Sequence, residues 1–473
     1  MIDTRHSDYN KNEIIWRRMC DCCLGQDAIK AGREAYLPKL NGQDIWAYER
    51  YLQRAQYVNF TGRTLNIALG QVFRKNPVIE NVDEEIINDI NMDGQSFVYF
   101  SRDILEDIAK YNRAGILIDW SDEQRRPYLL HYNAFEIINW NEQRINGINQ
   151  NVFIVLEGFM DVQDDKDMYM IKQEKIWRVL WLNDGVYTVS VFKKSNNDGD
   201  KKFIQIEDDK VPLKNGKPFN YIPFFMCTST GITNKISKSV LYDFANVNLG
   251  HYINSADYEN MLHWTGAKTL VTQGYGNREE PIPIGGSFDL PVDGGAFYLE
   301  ASSDSGLREE MNRKKEDMAV MGASLISGTG RYIASAQTAS INSQGEYASL
   351  ADLSKALSKC MTAVLKELAE WDGDNSTNVS VEYNTDFELA EVDPNVLTAF
   401  MGAVQSGYMS WETFFYNMKN KELYPPDWTM EDERAAIESQ MEEIEEDETK
   451  LDGKLNENEQ GNAEIPEETN QPE

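Results

Sequence analysis

The stretch from Ser239 to Gly266 reads SVLYDFANVNLGHYINSADYENMLHWTG. Leu241, Phe244, Ala245, Asn248, Leu249, Tyr252, Ala256, Tyr258 and Leu262 recur at mostly three- and four-residue spacings, one stripe of a long helix. Asn246, Asn254, Asp257, Glu259 and Asn260 fall between them. At 1.5 Å per residue such a helix is roughly 35–40 Å long, the length of a strut. Strand-like sequence (Pro218–Cys227) precedes it and Gly/Pro-rich sequence follows it.

Working outward, a second helical pattern, Leu307–Ile326, carries Met311, Lys314, Met318, Met321 and Leu325 at helical spacing. Between the two lie β-like runs at Thr269–Val271 and Phe288–Glu300, separated by the loop GYGNREEPIPIGG. Two long helices that bracket a small β module predict an antiparallel stalk with a head. After them, Ser327–Gln344 is small and polar with Arg331 its one charge, and reads as a low-charge connector. A third helix is expected over Tyr347–Trp371, a strand over Val379–Phe387, and a helical end over Asn395–Lys419 broken at Ser406-Gly407.

Upstream, helices are expected over His6–Cys23, Asp44–Phe73 (one long pattern stopped by Lys75-Asn76-Pro77) and Asn91–Tyr111. Short strands follow at Ala114–Trp120, Tyr128–His131, Glu136–Trp140, Val152–Met160, Tyr169–Trp181 and Val186–Lys193. The fold class is α+β, and no internal repeat is visible.

The chain has 473 residues and a formal net charge of −32. Residues 431–473 hold 17 acidic and 3 basic side chains, and the remaining 430 are still net −18. The tail's low hydrophobicity and high charge predict disorder. An acidic surface gains no counterion-release energy on DNA, so a conventional DNA-binding module is disfavoured. No run of about 18 apolar residues exists to span a membrane. The N-terminus lacks a signal peptide's apolar core, so an intracellular protein is expected.

Catalytic motifs are not found. The four histidines, His6, His131, His251 and His263, form no triad or metal pattern, and surface or capping roles are expected. Cys20 and Cys23 have CxxC spacing but no second pair for zinc and no thioredoxin-like setting, so they read as ordinary helix cysteines. Gly322–Gly330 lacks the GK[ST] ending of a phosphate loop and follows a helix. Asp257 and Asp386 would be the carboxylates of a metal-dependent nuclease, a reading that rests on carboxylate abundance alone. No cofactor or metal is expected.

Longer phrases carry a resemblance. Ile222–Gly231 (IPFFMCTSTG), Leu241–Gly274, and Ile284–Ile326 (IGGSFDLPVDGGAFYLEASSDSGLREEMNRKKEDMAVMGASLI) resemble a subgroup of tailed-bacteriophage portal proteins. So do YVNFTGRTLNIALGQVFRKNP, YLLHYNAFEIINWN, SAQTASINSQGEYASLADLSKAL and VEYNTDF, together spanning roughly residues 35–415. One departure is SAQTAS, where the subgroup has an acidic residue after the threonine.

The resemblance implies a non-enzymatic, ring-forming portal fold, usually a dodecamer, at one capsid vertex of a virion assembled in the host cytoplasm. Double-stranded DNA would be packaged and ejected through its channel. Terminase and then adaptor or tail proteins would dock on it, beside the major capsid and scaffolding proteins, with no membrane involved. Another head–tail connector or assembly protein is the alternative. By resemblance, residues 1–238 map to a wing, 239–266 and 307–326 to two stem helices, and 267–306 to a clip with Tyr275, Arg278, Glu279 and Glu280 in docking. Residues 327–346 map to a channel loop presenting Ser327, Thr329, Arg331, Tyr332, Ser335, Gln337, Thr338, Asn342 and Gln344 to DNA. Residues 347–387 map to a wing helix and strand, 388–430 to a crown, and 431–473 to the tail. Leu241, Phe244, Leu249, Tyr252, Leu262, Met311 and Met318 would pack the stem and its neighbours in the ring.

Overall fold

The computed structural model describes residues 1–164, 167, 169–195, 202–266, 269–273, 292–299, 305–326, 336–373, 378–385, 387, 394–420, 423–425 and 428–441. The chain divides into two compact units, Met1–Phe387 and Glu388–Glu473.

The first unit opens with α1 (Ser7–Leu24), α2 (Gln26–Ala31), α3 (Ile45–Arg54) and α4 (Phe60–Val72). Its next elements are β1 (Val78–Glu80), α5 (Glu84–Asn88) and α6 (Phe97–Tyr111). His6 caps α1 by accepting from Asp8 N–H at 3.1 Å, so one histidine holds the expected capping role. The single helix expected over Asp44–Phe73 is two. The backbone turns extended at Ala55, and Asn59 restarts the helix by accepting from Gly62 N–H at 2.8 Å. Asn59 also donates to the Cys23 carbonyl at 2.9 Å, fixing α4 against the end of α1. Gly62 permits that approach: a Cβ there would lie 2.4 Å from Cys23 O.

At the end of α6, Asn112 adopts the left-handed conformation (φ 53°) that a short polar side chain tolerates, and the chain turns into the sheets. The strands are β2 (Ala114–Ser121), β3 (Arg126–Asn133), β4 (Ile137–Ile145), β5 (Ile148–Gln163), β6 (Ile171–Asn183), β7 (Val186–Lys194) and β8 (Phe203–Gln205). After them come β9 (Leu213–Lys214), β10 (Lys217–Pro218), β11 (Phe224–Thr228) and β12 (Gly231–Ile232). All pair antiparallel, in a four-stranded sheet ordered β12-β11-β2-β3, a five-stranded sheet ordered β4-β5-β6-β7-β8 and the short β9-β10 pair. An ion pair from Arg178 on β6 to Asp119 on β2, 3.1 Å, links the two larger sheets.

Next come α7 (Tyr242–Gly266), β13 (Thr269–Gln273), β14 (Gly295–Leu299) and α8 (Ser305–Ile326). β13 and β14 pair antiparallel, as Leu270 with Tyr298 and Thr272 with Ala296. The unit ends with α9 (Ala336–Asp372) and β15 (Ser380–Glu382), which pairs with β1. Helix α9 begins at Ala336, not at Tyr347, so Gln337, Thr338, Asn342 and Gln344 are helical residues rather than loop residues. Their stretch has no apolar period, which is why it reads as a connector. Farther along, Leu353, Leu357, Cys360, Met361, Val364, Leu365 and Leu368 are buried. Trp371 anchors the helix end: its Nε1 donates to Leu213 O at 3.0 Å, and its ring lies 4.5 Å from that of Phe219.

The second unit contains α10 (Pro394–Gln405), α11 (Trp411–Asn420) and a helical run over 430–441. Phe414, Phe415 and Met418 are buried. Glu433 accepts from Trp428 Nε1 at 2.9 Å and from Tyr424 OH at 3.2 Å. Trp411, Phe415, Met430 and Ile437 help line a small apolar cavity of about 270 Å³.

Two glycines of α4 test the close approach. A helix-interior Gly→Ala change ordinarily gains roughly 0.5–1 kcal/mol. Gly70, where an added Cβ would meet nothing within 4 Å, should follow that rule. Gly62→Ala should instead lose about 1–3 kcal/mol through the clash with the Cys23 carbonyl. Thermal melts of the two variants should therefore shift in opposite directions.

Candidate functional site

The α7–α8 hairpin is the feature the sequence singles out, and its setting decides what it can do. Its two helices run antiparallel. A Cβ on Gly322 of α8 would touch Phe244 near the start of α7, and one on Gly250 would touch Lys314, each at 3.4 Å. Lys314 Nζ also donates to Gly250 O at 3.2 Å.

Helix α7 is covered around most of its girth. Leu241, Phe244, Ala245, Tyr252 and Ala256 are buried, as the stripe predicts. Asn248, His251 and Ser255 are buried too, so the polar positions are not a solvent face. They meet the extended segment between α3 and α4. Asn248 Oδ1 accepts from Thr61 N–H and Oγ1, both at 3.1 Å, while its Nδ2 donates to Val58 O at 3.0 Å. Ser255 Oγ accepts from Gln56 N–H at 3.1 Å and lies 2.8 Å from Gln56 O. Beyond it, Tyr51 OH donates to Asp257 at 2.6 Å and Arg54 donates to Asn260 at 3.0 Å. Arg18 of α1 donates to Asn246 at 3.2 Å.

The residues expected to pack the stem differ in how far one chain covers them. Leu241, Phe244, Tyr252 and Met318 are buried within one chain. Leu249 and Met311 are half-buried. Leu262 is 43% exposed, and on α8 Val320 is 66% exposed. Tyr275, Arg278, Glu279 and Glu280, and Ser327, Thr329, Arg331, Tyr332 and Ser335, lie outside the described residues. The side chains of Gln337, Thr338, Asn342 and Gln344 do too.

The candidates for chemistry resolve into structural roles. Asp257 is held by Tyr51, and Asp386 lies outside the described residues. Burial pushes the Cys22 and Cys23 thiols up to about 12, which removes thiolate reactivity. Among the described residues no group of three His, Cys, Asp or Glu side chains is placed to hold a metal. No described helix is long and apolar enough to cross a membrane. His131 is partly exposed, and its Nε2 lies 2.8 Å from the Asp107 carboxylate. His251 is buried, edge-on to Phe60, with neither ring nitrogen bonded among the described residues. Burial, then Lys315 and Lys314, lowers its pKa to about 4.

The docking of α7 can be probed at two of its buried polar residues. Asn248→Leu strips partners from three groups of the 58–61 segment; at about 1–3 kcal/mol for a buried group left unmet, a loss near 3 kcal/mol is expected in urea unfolding. His251 carries a folded pKa below its unfolded value of 6.5, so its contribution is full above about pH 6.5 and is lost as pH falls toward 4. His251→Leu should therefore flatten the stability profile in that window, by at most roughly 3 kcal/mol at its acid end. Parallel profiles for the two proteins would refute it.

Residues 240–372, from the entry to α7 through the end of α9, match a family model described as a domain of unknown function (DUF4055). No curated protein matches the chain. Among solved structures, the chain is similar to one from the neck of an empty GTA particle computed with C6 symmetry, at 11% identity and a TM-score of 0.39. That match covers 78% of this chain and 91% of that one. It is also similar to one from the neck of the native GTA particle computed with C12 symmetry, at 10% identity and a TM-score of 0.38, covering 75% and 87%. A chain from the virion of the native gene transfer agent (GTA) particle is similar at 10% identity and a TM-score of 0.40, covering 80% and 95%.

Proposed function

We propose that this chain is a portal protein: a subunit of a ring at a capsid vertex, through which double-stranded DNA is packaged and released. The observation that carries the reading is the α7–β13/β14–α8 hairpin, rooted in a mixed α/β body and followed by the long helix α9. That order meets the long, in-sequence phrases that resemble portal proteins. In this reading α7 and α8 are the stem, the β13/β14 ribbon and the residues between its strands are the clip, and the second unit holds the crown. Terminase and then adaptor or tail proteins dock at the clip, through Tyr275, Arg278, Glu279 and Glu280. Residues 327–335 and the first turns of α9 face the channel, with Arg331 the one cation there to meet a phosphate.

The mechanism asks little chemistry of the protein. Each phosphate–cation contact adds affinity through counterion release and therefore drag. An acidic wall presented by every copy repels the polyanion and leaves it mobile. Ring closure is heterologous, so a modest interface is repeated at every joint. The side chains left for it are those that one chain does not cover, Leu262 and Val320 among them.

The deciding measurement is the solution mass by light scattering, with negative-stain images of the same sample. A closed ring with a central hole is expected, and a monomer at all concentrations would refute the reading. Leu262→Asp should reduce the ring to smaller species while leaving the stability from urea unfolding within about 0.5 kcal/mol, since the side chain is surface-exposed in the single chain.

A further inference from the structure

Arg113 stands at the corner where α6 turns into β2, and it is only 1% exposed. The face of its guanidinium lies 3.9 Å from the Trp140 ring on β4. The same indole stacks on His6, at 4.0 Å between centroids and 23° between planes. Nη1 donates to Asn234 O at a long 3.4 Å. Nε and Nη2 are buried and have no acceptor among the described residues. Those two nitrogens form the side-on edge of the guanidinium, two parallel N–H groups spaced to receive one anion or both oxygens of a planar one.

Among the described residues no carboxylate forms an ion pair with this group. Asp8 is the one acid whose field reaches it, and that carboxylate is held by Lys11 at 2.8 Å. A guanidinium removed from water without a counter-charge is strongly disfavoured, and an indole face returns only part of the lost solvation. Asn234 Oδ1 also has no donor among the described residues, so a bridging water is the competing occupant.

We propose that the Nε/Nη2 edge of Arg113 is a buried binding site for a small monovalent anion, either a halide or a planar oxyanion of formate size. The elements around it give the site a consequence. Asn112 next door donates to Lys238 O at 3.2 Å and accepts from Ser229 N–H at 2.7 Å, so it grips the strap leading into α7. Ser239 Oγ on the same strap donates to Ala109 O at 2.6 Å. The N-terminal segment enters through His6 and β4 through Trp140. An anion at Arg113 therefore neutralises a charge shared by the N-terminus, both sheets and the root of the hairpin.

The test uses the full chain near pH 7.5, with melting followed at constant ionic strength as gluconate is replaced by chloride, bromide or formate. Gluconate, a much larger anion, serves as the reference. Expected is a melting temperature that rises with the logarithm of the small anion's concentration, each tenfold step above its dissociation constant adding about 1.4 kcal/mol. Chloride and bromide acting without formate would identify a halide site, and formate acting more strongly would identify an oxyanion site. Arg113→Met should abolish the response. If that variant does not fold, bromide anomalous scattering from the unaltered protein decides alone, with a peak expected against Nε and Nη2. Equal responses in gluconate and the small anions, or a water in the fork without a bromide peak, would overturn the proposal.

Discussion

The structure depends on one interaction: the polar side chains of α7 replace the helix that α3 and α4 do not complete. The Ala55 amide closes α3 onto Tyr51 O; from there to Phe60 the helical ladder is interrupted, and the Gln56 amide and carbonyl and the Val58 carbonyl face side chains of α7. Buried backbone groups left without partners would each cost on the order of 1–3 kcal/mol. Asn248 and Ser255, two turns apart on α7, present amide and hydroxyl groups to that segment at Val58 and Gln56 and to the first turn of α4 at Thr61. The break in the N-terminal helices and the polar residues of the long helix are thus two halves of one arrangement. It roots the hairpin in the body, because α7 cannot slide without unpairing both sides.

From that root the rest is positioned in steps. Lys314 and Gly250 set the closest approach of α8 to α7, and Gly322 lets α8 pass between Phe244 and Thr64. Helix α9 is held at its far end by Trp371 on the β9 carbonyl and by Lys214, which pairs with Glu367 and Glu370 at 2.9 and 2.8 Å. The strap from β12 to α7 is held by Asn112 and by the Ser239 hydroxyl on α6. The clamps on α9 and on the strap each join residues more than a hundred positions apart. The hairpin's base is therefore fixed by tertiary contacts rather than by helix propensity.

That distance also explains what the sequence cannot reveal. Strand alternation in β2 to β7 and the apolar period of α9 beyond Leu350 are local signals, and both are legible. The break at Ala55–Asn59 is not, because Ala55 and Tyr57 are buried apolar residues that keep the pattern running through the connector. Asn248 falls on the stripe, but its partners and those of Ser255 lie nearly two hundred residues earlier, so what those two polar groups bind is not legible locally, and His251 reads as a surface residue although it is buried. The first turns of α9 carry Ser, Thr, Asn and Gln without an apolar stripe, and neither period nor propensity marks them as helix. The docking and channel residues rest on resemblance, and local pattern adds nothing at Tyr275–Glu280 or at Ser327–Ser335.

Charge bears on what the hairpin can present to a polyanion. Residues 1–75 hold 12 basic and 8 acidic side chains, so the net −32 lies wholly downstream of the helices that root the hairpin. Among the exposed residues of α8, Arg308, Arg313 and Lys315 are interspersed with Glu309, Glu316 and Asp317. Such a face offers a polyanion no continuous row of cations, and its carboxylates compete for each one, as Glu310 does for Arg313 at 2.8 Å. Phosphate contacts there would be few and screened within about a Debye length, near 8–10 Å at physiological salt. In the portal reading proposed above, α8 supplies no binding stripe for DNA, and the repulsion comes from the acidic excess elsewhere in the chain. The fixed geometry would come from the uncharged contacts behind, where α7 meets residues 56–61.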